Sequence, residues 1–591
     1  MWQLQASNPQ PTRPQNWFTQ ALATVSAVIR ESSYPQGYYI TTRGLSWLTP
    51  PSLGRVWVIV LYWIMITIMI TNQSIVDDAY YYERIGFRAA WISVTQVPVI
   101  FLLAGKVNLI GFLIGSSPER LNWLHRWAAR TLFITVTVHG SFFLAEWVRA
   151  DFVPIELQMM PMVKYGMGSW CVLLWINLSG LAPIRRLGYE FFVLQHLASA
   201  AVLLWLLWNH VPSYALYNVW IAIAFLAFDR VAYSVWIAFL NFLPRRREHQ
   251  LGEIVPSRMC GSSRFSLPTW RIGHRAHIEA CEGEITIVTL KDTSLFWRPG
   301  QHLYLWIPRL AGIESHPYTI SNAQESASKP SSRDVKLVIR AHSGFSRRLY
   351  KKAQVAQHDS PVEMTAFIAG PFGSPPLWHT FETVVLIASS TGASFTLPIF
   401  ESLLRRPGCV AQIRFLLLVR QSQHCCCYTS HLQQLASQAL SMDRVSTRME
   451  IAVSRNSGGN PQGLDIKSGC TCSGSPEMPP NDSSSQESSS LSDDGILPLV
   501  DGDEKEKQPS YSSFSAACLA PMHFSFGKKD LEDYLRSPIE TAFGETMVAV
   551  CGGRRLTSDV RNLVASLSDE RAVHKGTGAQ GIRLYVEEYA F

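Results

Sequence analysis

Apolar residues run in long blocks through the first 244 positions and in short, punctuated blocks through the rest. Six blocks reach the ~20 residues needed to cross a bilayer. They lie at 55–73, 90–114, 124–147, 167–184, 189–209 and 215–243. A shorter piece at 17–29 reads as a helix lying in the membrane interface. From about 250 to 378, runs such as 284–290, 302–307 and 335–341 alternate or stay apolar between Pro and Gly, which predicts a small antiparallel barrel. From about 382, apolar strands alternate with helical patterns. Strands are expected at 383–389, 414–420, 547–553 and 581–591, and helices after 392, at 431–440 and at 556–567. That alternation predicts a parallel sheet. The expected parts are an N-terminal segment 1–50, a membrane part 51–245, a barrel 246–378 and an α/β part 379–591.

Residues 455–515 are rich in Ser, Asp, Glu and Pro and read as a disordered insert in the last part. Only 16% of residues are charged and 47% are apolar, which fits a membrane protein and excludes a disordered chain. The net charge of +7 comes without long basic runs, so nucleic acid is not an expected partner and membrane lipid is. Arg43, Arg55, Arg120, Arg126, Arg185, Arg186 and Arg245–Arg247 fall in alternate loops, which sets that side and the large soluble half in the cytoplasm. Eleven unpatterned cysteines argue for a reducing compartment around the soluble part. The N-terminus shows no basic-then-apolar signal.

Ionisable groups inside a membrane are costly and usually functional. The third block carries His125 and His139, and the fifth carries His196 and His210, each pair 14 residues apart. At ~1.5 Å per residue, 14 residues return to nearly the same helix face ~21 Å further on. Two such helices present two imidazole pairs at matched depths, His125 with His196 and His139 with His210. Each pair suits one haem iron held from both sides, an electron carrier with no open position. Interfacial or proton-relay histidines are the alternative reading. One zinc ion cannot gather four ligands spread over ~21 Å. Gly140 and Ser199 beside the ligands would leave room for porphyrin. At 388–394 a small-residue turn follows a strand and opens a helix, a place for a dinucleotide pyrophosphate.

Together with RPGQH (298–302), HPYTIS (316–321), GPFG (370–373) and CGG followed by VRN (551–553, 560–562), the histidine pairs make the chain resemble the fungal ferric-chelate reductases, within the NADPH oxidase superfamily. The resemblance runs from about residue 85 to the end, outside the insert; the family's first span has no clear counterpart in residues 1–50. It implies a multi-domain membrane protein with a six-helix transmembrane haem bundle, an antiparallel β-barrel FAD domain and an α/β parallel-sheet NADP domain, ferredoxin reductase-like. His316, Pro317, Tyr318 and Thr319 would line FAD, with Tyr318 stacked on the flavin and Thr319 near its reactive edge. Arg340, Gly344, Phe345 and Ser346 would hold the FAD diphosphate. Ser390 and Gly392 would contact the NADPH pyrophosphate, with Ser389, Ser390 and Ala393 standing where relatives carry more glycine. Cys551 and Gly552 would lie beside the nicotinamide, Gly553 replacing a common proline. Arg420 would select the ribose phosphate, and Phe591 would cover the flavin. The implied cofactors are FAD, NADPH and two b-type haems. The implied acceptors are ferric chelates such as siderophores, or cupric ion. A plasma-membrane site and a ferroxidase or permease partner follow from a role in iron uptake. Two rivals are a superoxide-generating NADPH oxidase and a haem-binding membrane scaffold or sensor with weakened reductase activity.

Overall fold

In the computed structural model, residues 16–40, 42, 45–242, 272–454 and 522–588 are described, apart from breaks at 292, 313, 325–333, 357–361, 422–424, 443, 543 and 572–580. The expected insert, Arg43, Arg245–Arg247 and Phe591 lie outside the described residues. The membrane half is built from α1 (Trp17–Ser33), α2 (Leu53–Thr71), α3 (Tyr81–Ala104), α4 (Leu109–Ile114), α5 (Pro118–Arg149), α6 (Val153–Met159), α7 (Pro161–Ser179), α8 (Ala182–Leu187), α9 (Tyr189–His210) and α10 (Tyr217–Asn241). Five of these helices, α2, α3, α5, α9 and α10, are long and apolar enough to cross a membrane.

Two expectations need correction. The block at 90–114 is not one span: α3 starts at Tyr81 and stops at Gly105, and α4 follows. The stop is built from polar groups. Buried Asp229 on α10 accepts a hydrogen bond from the Val107 amide at 2.7 Å, and Asn108 accepts one from the Gly111 amide at 3.0 Å, capping α4. The fourth block, 167–184, is displaced to α7, which is not among the five qualifying helices. Its first turns carry Lys164, Gly166 and Gly168, which dilute its apolar character.

The second half begins with β1 (His274–Cys281), β2 (Ile285–Leu290), β3 (His302–Trp306), α11 (Pro308–Ala311), β4 (His316–Thr319), β5 (Val335–Arg340), α12 (Gly344–Ala356) and β6 (Val362–Phe372). These strands form an antiparallel sheet in the order β4-β3-β6-β1-β2-β5. Its outer strands are linked where Ile320 bridges Leu337. Alternation places Ala276, Ile278, Val288, Leu303, Leu305, Leu337 and Ile339 in one core.

Next come β7 (Thr383–Ser389), α13 (Ala393–Arg405), β8 (Gln412–Val419), α14 (Cys426–Leu440), β9 (Ser446–Val453), β10 (Met522–Phe526), α15 (Leu531–Glu540), β11 (Thr546–Gly552), α16 (Arg554–Arg571) and β12 (Ile582–Glu588). All six strands pair in parallel, in the order β10-β9-β8-β7-β11-β12. Along β7, Val384, Leu386 and Ala388 enter one core, while Val385 and Ile387 enter the other. Burial on both faces is why this strand reads as an unbroken apolar run. The chain runs outward from β7 to β10 and then returns to β11, so the order reverses between β7 and β11. That reversal is where open α/β sheets bind ligands.

Candidate functional site

The four membrane histidines meet in the expected pairs. The His125 and His196 ring centres are 6.5 Å apart, and those of His139 and His210 are 6.2 Å apart. Two metal–nitrogen bonds of ~2.0 Å, each continued by ~1.2 Å to a ring centre, set two ligating rings ~6.4 Å apart. Both gaps therefore fit one metal ion between two imidazoles. Backbone carbonyls fix three of the rings. Nδ1 of His125 lies 3.1 Å from the Ile100 oxygen, that of His139 3.0 Å from Gly86, and that of His210 2.9 Å from Met162. A carbonyl can only accept, so Nδ1 carries the proton and Nε2 is left with a lone pair for a metal. The fourth ring, His196, has a buried Nδ1 with no hydrogen-bond partner among the described residues. Among the described residues, no group of three or more His, Cys, Asp or Glu side chains is placed to hold a metal, so paired ligation is what the membrane half offers.

Two glycines that the sequence reading passed over shape the surroundings of the His139–His210 pair. A Cβ on Gly166 of α7 would sit 2.5 Å from His210 Cε1, and one on Gly86 of α3 would sit 2.7 Å from the Phe143 ring. Phe143 in turn packs against His139 at 5.1 Å. A glycine inside an apolar helix costs ~1 kcal/mol against alanine, and that cost is the signal that would have found them. A Cβ on Gly140 would meet nothing within 4 Å, which leaves open space beside His139.

In the reductase half, HPYT forms β4 and pairs with β3, setting His302 opposite Thr319 and Leu303 opposite Tyr318. Tyr318 is half-buried beside Phe345, with ring centres 6.4 Å apart. Burial pushes its phenol well above the usual range, so the ring stays neutral. The His316 ring stacks on Phe345 at 5.0 Å and lies 3.3 Å from Glu314. Burial alone would raise the Glu314 carboxyl, but hydrogen bonds with Glu190 and His316 and the charge of Arg348 hold it below its usual range. Gly344 opens α12 at φ +55°, a left-handed backbone that suits glycine. Ser346 Oγ accepts from the His342 amide at 3.0 Å and donates to the Ser343 oxygen at 3.1 Å.

The residues expected to meet the nucleotide collect at the carboxyl ends of β7, β8 and β11. The turn Ser389–Gly392 follows β7, exposed Arg420 follows β8, and buried Cys551 ends β11 in register with Ala388. Gly552 lets the two turns approach, since its Cβ would sit 2.8 Å from Leu556 and 3.1 Å from Ser389. Ser390 has φ +51°, where glycine is the ordinary residue. Arg340, at the end of β5, donates to Ser390 Oγ at 3.4 Å, so the arginine expected at the flavin and the turn expected at the nucleotide touch.

The two halves meet through contacts the sequence did not foretell. Arg120, at the start of α5, donates to the Val586 carbonyl at 2.9 Å and to Glu587 at 2.6 Å, and lies 4.2 Å over the Tyr585 ring. Tyr585 stacks on Phe395 at 5.6 Å, and burial pushes its phenol up to about 12. Tyr304 donates to Glu119, whose carboxylate also lies 3.2 Å from His302 Nε2. Asn241 of α10 exchanges two hydrogen bonds with Ile368 of β6, at 2.8 and 2.9 Å. Behind α1, the Leu584 amide donates to Tyr34 at 3.2 Å and the Gln36 amide to Asn562 at 2.8 Å.

Three family models match the chain in sequence. They are a ferric reductase like transmembrane component over 89–207, an FAD-binding domain over 273–376 and a ferric reductase NAD binding domain over 381–565. A probable cell surface ferric reductase, kap2, of Aspergillus oryzae is 29% identical over 58% of this chain and 44% of its own length. Ferric reductase transmembrane component 4 of Saccharomyces cerevisiae is 24% identical over 52% of this chain and 38% of its own length. Ferric/cupric reductase transmembrane component 2 of Schizosaccharomyces pombe is 23% identical over 58% of this chain and 63% of its own length. The chain thus spans about half the length of the curated relatives it matches. With a transmembrane component, an FAD-binding domain and an NAD-binding domain matched in that order, the chain belongs to the ferric reductase family.

Proposed function

We propose that this protein is an oxidoreductase that moves electrons from cytosolic NADPH across a membrane to a ferric, or cupric, acceptor on the far side. The observation that carries the reading is the pair of facing imidazole couples on α5 and α9, one above the other, with gaps that fit one metal ion each. His125 and His196 would hold the haem nearer the reductase half, and His139 and His210 the haem nearer the acceptor. When bound, FAD supplies the conversion of a two-electron hydride into single electrons, and the haems supply single-electron transfer.

The remaining work belongs to the chain's own side chains. Tyr318 presents a neutral ring to the flavin, and Thr319 lies next to it at the strand end. Arg340 and the α12 start, with Gly344 and Ser346, offer a guanidinium and free amides to a diphosphate. Ser390 and Gly392 offer the same kind of cradle to the nucleotide, Cys551 and Gly552 border the nicotinamide, and Arg420 meets the ribose phosphate.

The finer architecture belongs to the same proposal. The sixth membrane helix is α7, and the bridge between Ile320 and Leu337 supports a closed barrel. The parts run 51–245, 246–378 and 379–591. The membrane is the plasma membrane, the reductase half is cytoplasmic, and the acceptors are ferric chelates that feed an uptake partner. The test is NADPH consumption by the protein in lipid nanodiscs, with and without ferric chelate. Iron-dependent consumption without superoxide is expected. Oxygen-dependent consumption that ignores iron would replace this reading with an oxidase.

A further inference from the structure

Methionine is scarce in this chain, 14 in 591 residues, or one per about 42 positions. Three nevertheless fall within four residues, Met159, Met160 and Met162, where α6 ends and α7 begins. All three are exposed, at 76%, 47% and 37%. The place is specific. Arg120 touches the reductase half at the start of α5, a helix of 32 residues that ends at Arg149 and is ~48 Å long. Met159–Met162 lie toward the opposite end of the bundle, at the level of His210. They also adjoin the outer imidazole pair: the Met162 carbonyl accepts from His210 Nδ1 at 2.9 Å, and Gly166, one turn on, lets the His210 ring lie against α7.

Packing does not account for the cluster, because none of the three side chains is buried. Anchoring at a membrane surface is normally done by Trp and Tyr, whose rings carry a polar edge that a thioether lacks. The chemistry of a thioether is to bind soft metal ions. Cys and Met sulfur select cuprous ion, whereas ferric ion in a chelate prefers hard oxygen. Reach is sufficient: three Cα steps span at most ~11 Å, and two thioether arms of ~4 Å plus two metal–sulfur bonds of ~2.3 Å exceed that.

We propose that Met159, Met160 and Met162 form a cuprous-ion site beside the outer electron exit. A cupric ion that takes one electron there becomes cuprous, with no proton moved and no bond broken, and the thioethers hold the product. The source of the electron rests on the route proposed above, whereas the binding of copper does not.

The test uses the full chain in nanodiscs with its thiols blocked by N-ethylmaleimide. Cuprous ion is titrated against a colorimetric cuprous chelator. Wild type should retain one equivalent, and Met159→Leu/Met160→Leu should bind at least tenfold more weakly with an unchanged haem spectrum. Leucine conserves volume, so packing is spared. In protein whose thiols are left unblocked, cupric reduction by the variant should show a raised KM, with ferric-chelate reduction unchanged. Equal cuprous binding by the two proteins would overturn the proposal. In wild type, silver ion, a redox-inert substitute, should protect Met159 and Met160 from peroxide oxidation to sulfoxide, read by mass spectrometry. Oxidation that proceeds equally with and without silver would also overturn it. A missing haem spectrum in both proteins would sink the electron route instead and leave the copper titration readable.

Discussion

The membrane half and the reductase half place their functional groups by opposite means. In the membrane half the groups are side chains on long rigid helices, and the backbone serves as a ruler: two histidines 14 residues apart on α5 face two with the same spacing on α9. In the reductase half the groups lie where strands end, in turns at Ser389–Gly392 and Cys551–Gly553 and at the start of α12. Much of the binding proposed there would be offered by backbone amides. Helix spacing survives in a sequence as arithmetic, whereas a turn's shape depends on which strands become neighbours. Function in a spanning helix is thus legible from one chain, and function at a strand end becomes legible once the sheet order is known.

The largest effect that would sharpen this contrast is expected from Gly166→Ala. The new Cβ would meet His210 at 2.5 Å, so the ring must leave its place. The reduced-haem absorbance should fall to roughly half while flavin content stays intact. An unchanged spectrum would mean that the ruler does not hold the outer pair.

Tyr318→Ala is the counterpart in the other half. Aromatic stacking is worth ~0.5–1.5 kcal/mol beyond area, so FAD affinity should drop about tenfold, read by flavin fluorescence on dilution, with haem absorbance preserved. Loss of both cofactors together would break the separation of the halves.

Arg120→Glu should slow haem reduction by NADPH several-fold, since the contact with Glu587 would turn repulsive, an effect of roughly 1 kcal/mol for a partly exposed pair. Arg120→Glu/Glu587→Arg should recover most of the rate in stopped-flow absorbance. A double variant no faster than the single one would show that Arg120 does not act through Glu587.

The smallest effect concerns Ser390. Its left-handed backbone costs a non-glycine residue ~1–2 kcal/mol, against a hydrogen bond from Arg340 worth ~1 kcal/mol. Ser390→Gly should raise the reductase half's thermal midpoint by a degree or two and tighten nucleotide binding slightly. A lower midpoint would show that the Arg340 contact dominates.

What the sequence concealed follows the same division. The blocks at 55–73, 124–147, 189–209 and 215–243 correspond to α2, α5, α9 and α10 within a few residues, because lipid demands long apolar helices. The block at 90–114 misled because apolarity continues past Gly105, while the helix ends there on Asp229, a partner more than a hundred residues away. The strands β1, β4, β6, β9 and β10 were not among those expected, most of them being short, polar on one face or far along the chain from a neighbour. Gly86 and Gly166 carried a signal, glycine in an apolar helix, that went unread. Arg120 carried none, because a loop arginine near a membrane reads as a topology marker until the strand it meets is known.

The central claim is that α5 and α9 clamp two metal centres, one above the other. A dithionite-reduced minus oxidised spectrum of wild type and His139→Ala tests it most directly. The account predicts a low-spin b-type haem signal in wild type and about half of it in the variant, with His125 and His196 still ligating. A variant that keeps the full signal would contradict it.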